Sequence, residues 1–161
     1  MFILSNERTS DNPECFGQYK AYLTQHKNIF PSKAYSLATS EWYGNFNDPR
    51  CPHDAWLENI KIEERSSGDR QENRYITITI RLIGAYHDGF IELIYPQVFN
   101  YQLNCNHGIQ GHRDWRYDEL RINDQGHLIH EIEWYDLSES SRWLIEASDI
   151  EYRWISKGEI T

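Results

Sequence analysis

Cysteine is scarce in this chain, with only Cys15, Cys51 and Cys105 among 161 residues. An odd number at wide spacing does not make a disulfide framework. Cys51-x-His53 and Cys105-x-His107 carry ligand-type side chains, but neither has the Cys-x-x-Cys spacing of a structural zinc site, so no metal is expected. Long apolar runs are missing as well. Nothing approaches the roughly 20 residues that a membrane span requires, and the opening MFILSNERTSD has no basic start of the kind a signal peptide carries. Basic residues are outnumbered, with 16 Lys and Arg against 25 Asp and Glu, a net charge of -9. That balance argues against binding a nucleic-acid backbone. Neither Gly-x-Gly-x-x-Gly, nor a Walker loop, nor Gly-x-Ser-x-Gly occurs, so phosphate cradles and the serine-nucleophile elbow are excluded and no cofactor is expected. A soluble cytoplasmic protein fits these absences.

Rings and short alternating runs are what the chain does have. Aromatic residues make up 14%, including 6 Trp and 11 Tyr. Such amphipathic rings suit a β-rich core or a binding interface. From Tyr75 to Leu82, Ile76, Ile78, Ile80 and Leu82 alternate with Tyr75, Thr77, Thr79 and Arg81, the period-2 pattern of a half-buried strand. Phe90 to Tyr95 is a second short apolar run, and Gly84 with His87-Asp88-Gly89 supplies turn chemistry between the two. A β-hairpin is expected there.

Upstream, Asp11, Pro13 and Glu14 read as a helix start, and Phe16, Tyr19 and Leu23 recur at helical spacing, predicting a helix near 13–27. A second is expected from Pro31 or Ser32 to about Gly44, carrying Tyr35, Ala38 and Trp42. Ala55-Trp56-Leu57 opens a strand through Ile60 and Ile62, and Glu64–Arg74 reads as a loop. Pro96 argues against a central strand at its own position. Strands are then expected over Trp115–Ile122, from Leu128 to Tyr135, around Trp143 and Ile145, and from Ile150 to Trp154. The fold class is α+β. Two N-terminal helices would pack on a mostly antiparallel sheet of about seven or eight strands, a meander or a half-barrel, in one domain over 1–161.

Chemistry-bearing residues fall into two groups. His53-Asp54, His87-Asp88 and His112 with Asp114 could serve acid–base or metal chemistry if they converged, as in a metal-dependent hydrolase. Residues of this kind beside Gly and Pro also make ordinary turns. His130 sits between Leu128 and Ile132 in the alternation and reads as a hydrogen-bonded core histidine. The second group is acidic. Between Asp114 and Glu151 there are 11 acidic residues against 3 arginines, so nearly all the negative excess lies in this third of the chain. Glu131 and Glu133 share a strand face, either as a paired acid and base or as two solvent-facing glutamates.

The order HDAWLENIKIEE, YITITIRLIGAYHDGFIELIYPQVFNYQL, GHRDWRYDELRI and HLIHEIEWYD resembles small bacterial proteins, some of which are regarded as immunity proteins of polymorphic-toxin or contact-dependent inhibition systems. The resemblance implies a non-enzymatic cytosolic protein that binds and neutralises a cognate toxin. With the charge distribution, it leads to an acidic sheet face (Asp118, Glu119, Glu131, Glu133, Asp136) that meets a basic toxin domain. A homo-oligomeric scaffold is a further reading, and oligomeric state stays open.

Overall fold

The computed structural model describes residues 3, 14–105, 111–135 and 141–159. Among these residues two α-helices, α1 (Glu14–His26) and α2 (Ser32–Ala38), precede seven strands. These are β1 (Trp56–Ser67), β2 (Asn73–Ile83), β3 (Gly89–Leu103), β4 (Trp115–Ile122), β5 (Leu128–Trp134), β6 (Ser141–Ala147) and β7 (Glu151–Ser156). Every pairing is antiparallel, in the order β1-β2-β3-β6-β5-β4, with β7 also on β3. The fold is α+β, with the helices at the N-terminus. Two three-stranded meanders are joined where β6 pairs with β3. Both β6 and β7 run along one side of β3, Val98 opposite Ala147 and Ile94 opposite Glu151, with Ser148 N donating to Gln97 O at 2.8 Å between them. The sheet curls until its edges touch, because Trp56 at the start of β1 forms a bridge with Asp114 just before β4.

The expected alternation defines the inner face. Ile78, Ile80, Leu82, Ile91, Leu93 and Tyr95 of the central hairpin are fully buried, as are Leu128, His130, Ile132 and Trp134 of β5. Leu23, Phe30, Ala34 and Leu37 bring the helices onto this core. No helix among the described residues is long and apolar enough to cross a membrane.

Three boundaries differ from the sequence reading. Most of the expected loop from Glu64 to Arg74 is strand: β1 runs to Ser67 and β2 starts at Asn73. This end of the ribbon has no apolar alternation to reveal it, because both faces meet solvent, and Arg65–Glu63 and Arg74–Glu64 ion pairs lace it instead. Helix α2 stops at Ala38 rather than near Gly44. Hydroxyls of Thr39 and Ser40 bond back to the carbonyls of Tyr35 and Ser36, at 2.7 and 2.6 Å, competing with helix continuation. Pro96 lies inside the central strand β3 after all. The β2 register jumps there, from Tyr95 opposite Ile78 to Val98 opposite Ile76, and a bulge tolerates a residue without an N–H. The expected cap at Asp11 and Pro13 lies outside the described residues.

Side chains from the N-terminal third seal the outer edge of β4. The Tyr19 hydroxyl donates to Leu120 O and accepts from Leu120 N, both at 2.9 Å, and Tyr22 Oη accepts from Ile122 N at 3.0 Å. His53 Nδ1 lies 2.6 Å from Arg116 O. Trp115 exchanges backbone bonds with Asp54 N and Ala55 O at 2.8 and 2.9 Å. An edge otherwise open to a foreign strand is covered.

Candidate functional site

The turn residues around the β1–β4 closure build a cleft. Asp54 and Arg113 adopt positive φ, 61° and 58°, and Gly111 a φ of 66°, so both chain segments reverse tightly on either side of the bridge. Trp56 is thereby placed at the surface, 49% exposed. Its Nε1 donates to Asp114 Oδ1 at 2.6 Å, and its ring meets His87 edge-on at 4.7 Å. Beside it opens a cavity of about 570 Å³, lined among others by Trp56, Glu58, His112, Arg113, Asp114 and Tyr135. The His112 ring packs on Trp134 and Trp143, with centroids at 5.2 and 4.8 Å. His112 Nδ1 and Arg113 Nε are buried and meet no hydrogen-bond partner among the described residues. Burial holds the His112 pKa below the ordinary histidine value, so its ring is neutral near pH 7.

The six His and Asp residues of the hydrolase reading are divided by this geometry. His87 and Asp114 both touch Trp56, and His112 lines the same cleft. His53 turns the other way, stacked on Phe46 at 3.8 Å and bonded to Arg116 O. Asp54 and His87 sit in turns with positive φ, and the backbone oxygen of Asp88 accepts from Lys157 N at 2.9 Å. Among the described residues no three His, Cys, Asp or Glu side chains gather as a metal site. The Cys51 thiol donates to Tyr43 O at 3.0 Å, and burial pushes its pKa up to about 12.

Two of the five acids expected on an accessible face are not there. Asp118 points inward from β4, and Glu119 is 1% exposed, its carboxylate taking Ile3 N at 3.0 Å and Arg121 Nε at 2.8 Å. The inward turn of Asp118 follows from register, because it pairs with Ile132 on the core face. Glu131 and Glu133 do lie on the outer face, where Arg121 and Arg142 partner Glu131 and Arg142 Nη2 stands 3.6 Å from Glu133. Asp136 lies outside the described residues. Much of the remaining acidic excess is also engaged. Asp149 accepts from Ala34 N at 2.9 Å and so caps α2, whose own N-cap Pro31 offers no side-chain bond. Glu146 pairs with His127 at 2.7 Å.

Asp118 instead anchors a buried polar network around His130, the hydrogen-bonded core histidine expected from the alternation, whose partners the sequence pattern did not announce. His130 Nε2 donates to its Oδ2 at 2.9 Å, Trp115 Nε1 donates to Oδ1 at 3.0 Å, and the Tyr43 hydroxyl also donates to Oδ2. On the far side of the ring, Tyr95 Oη lies 2.6 Å from His130 Nδ1 and donates to it when the ring is neutral. Burial raises the Asp118 pKa, but these donors outweigh it and hold the group below the usual carboxylate value. Burial keeps Tyr43 and Tyr95 protonated, with pKa values well above the ordinary phenol. Aspartate, histidine and tyrosine in line resemble a relay, yet His130 is fully enclosed, so the arrangement fixes the core.

Comparison with known proteins found no matching family model, no matching curated protein and no matching solved structure.

Proposed function

We propose that this chain is a non-enzymatic binding protein of the immunity type, which neutralises a basic toxin domain, and that the Trp56 cleft is the centre of its contact surface. The observation that carries this reading is the Trp56 indole, half in solvent yet held by Asp114 at the mouth of the cleft. Tryptophan and tyrosine dominate interface hot spots, and a ring fixed in advance loses little freedom on binding. A cationic side chain from the partner would lie on the indole face with the Asp114 carboxylate beside it, whereas Glu58 of the same cleft is already paired with Arg81. The outer-face glutamates Glu131 and Glu133 contribute less in this reading, because arginines already neutralise them.

Co-expression with the toxin encoded beside this gene tests the proposal. Protection is expected to fall at least tenfold in Trp56→Ala and to survive Glu131→Lys with Glu133→Lys. The reading is lost if no neighbouring product is toxic, or if Trp56→Ala protects as well as the parent while remaining folded by circular dichroism.

A further inference from the structure

The two edges of the sheet are treated differently, and the difference points to a partner. Side chains of α1 and the 53–55 turn close the edge of β4, whereas β1 pairs only with β2 beyond the bridge at Trp56, among the described residues. A 12-residue strand with an open edge is a template for strand addition. Its hydrogen-bond directions follow from the ladder. Gly84 N bonds to Gly89 O across β2 and β3, and bonded pairs recur at alternate residues, so odd-numbered β2 residues bond to β1. That commits Lys61, Glu63 and Arg65 to β2. It leaves the N–H and C=O groups of Ile60, Ile62 and Glu64 directed outward.

We propose that β1 pairs antiparallel with β1 of a second copy of this chain, about a two-fold axis at Ile62. In this register Ile62 faces its own copy in a mutually bonded pair, covering a side chain that is 41% exposed in the single chain. Ile60 and Glu64 form the flanking bonded pairs. Lys61 falls opposite Glu63 of the second copy, and Glu63 opposite Lys61, at the non-bonded positions where side chains approach most closely. The neighbouring registers fail on charge. One sets Lys61 against its own copy, and the other sets Glu63 against its own copy and Lys61 against Arg65. Of these three registers, the one centred on Ile62 is self-complementary in charge, as an isologous interface requires.

Sedimentation equilibrium of the full chain from micromolar to millimolar concentration tests this. The expected result is a species of twice the 19.3 kDa chain mass at the upper end. Lys61→Glu is expected to weaken association at least tenfold, and Lys61→Glu combined with Glu63→Lys to restore it. Ile62→Pro removes an N–H that points away from β2, so it should give a folded monomer, checked by circular dichroism. A single-chain mass at every concentration overturns the proposal. So does association unchanged by Lys61→Glu and Ile62→Pro, or a charge swap that fails to restore it.

Discussion

His130 Nε2 lies 2.9 Å from Asp118 Oδ2, both side chains sealed inside the sheet, and Tyr43 and Trp115 donate to the same carboxylate. Removing that acceptor strands three buried donors. Asp118→Ala is expected to destabilise the protein by about 3–5 kcal/mol in urea unfolding at pH 7, the usual cost of breaking a buried pair by deleting one partner. His130→Ala should cost a similar amount, and the double variant less than the sum, because both changes break one network.

The same carboxylate sets an acid dependence. Its folded pKa lies below the ordinary value, so as pH falls the unfolded chain takes up this proton first. Its contribution is fully present above about pH 4, the ordinary aspartate pKa, and is lost as pH drops through the folded value. Unfolding free energy measured from pH 7 to pH 3 should therefore fall more steeply in the parent than in Asp118→Asn. Equal slopes would show that the carboxylate does not carry the linkage.

Tyr19→Phe deletes one oxygen and leaves Leu120 N and Leu120 O on the β4 edge without their shared partner. An unsatisfied buried polar group costs about 1–3 kcal/mol. Amide exchange at Leu120 should accelerate, while exchange in β2 and β3 keeps its parent rate.

Gly89 opens β3 directly beneath Trp154. A Cβ there would stand 2.3 Å from the indole, closer than any atom pair tolerates. Gly89→Ala is expected to destabilise by about 1–3 kcal/mol, the typical penalty for overpacking. Adding Trp154→Leu should recover part of that loss, and a double-mutant cycle measures the coupling.

Thiol labelling checks the burial of the cysteines. Cys15 and Cys51 are buried and Cys105 is exposed, and burial pushes the Cys51 pKa up to about 12. Only thiolate reacts. The native protein should label at one thiol at pH 8, and at three in denaturant.

Local pattern carried much of this fold. The central hairpin, the inner faces of β2 and β5 and the β4 limits are all readable from period-2 alternation and turn residues. Helix α1 follows from the spacing of Phe16, Tyr19 and Leu23. What failed was pattern without burial: the polar ribbon from Glu64 to Arg74 looks like loop because neither of its faces enters the core. The candidate site was half legible. His112 and Asp114 stood out as chemistry-bearing residues, but Trp56 read only as the start of a strand. Its exposure depends on β1 meeting β4 across some 60 residues of chain, a contact that no local period encodes.

Composition and alternation by themselves determined an acidic α+β protein with a hairpin core, and placed His130 inside it. Tertiary structure alone decided what the charges do. Asp118 and Asp149 look alike in sequence, two carboxylates in one acidic segment. Register turns the first into the core beside His130, and the β6–β7 connection brings the second to the start of α2. A carboxylate's role depends on which donors surround it, and donors from distant segments meet it only when the sheet closes.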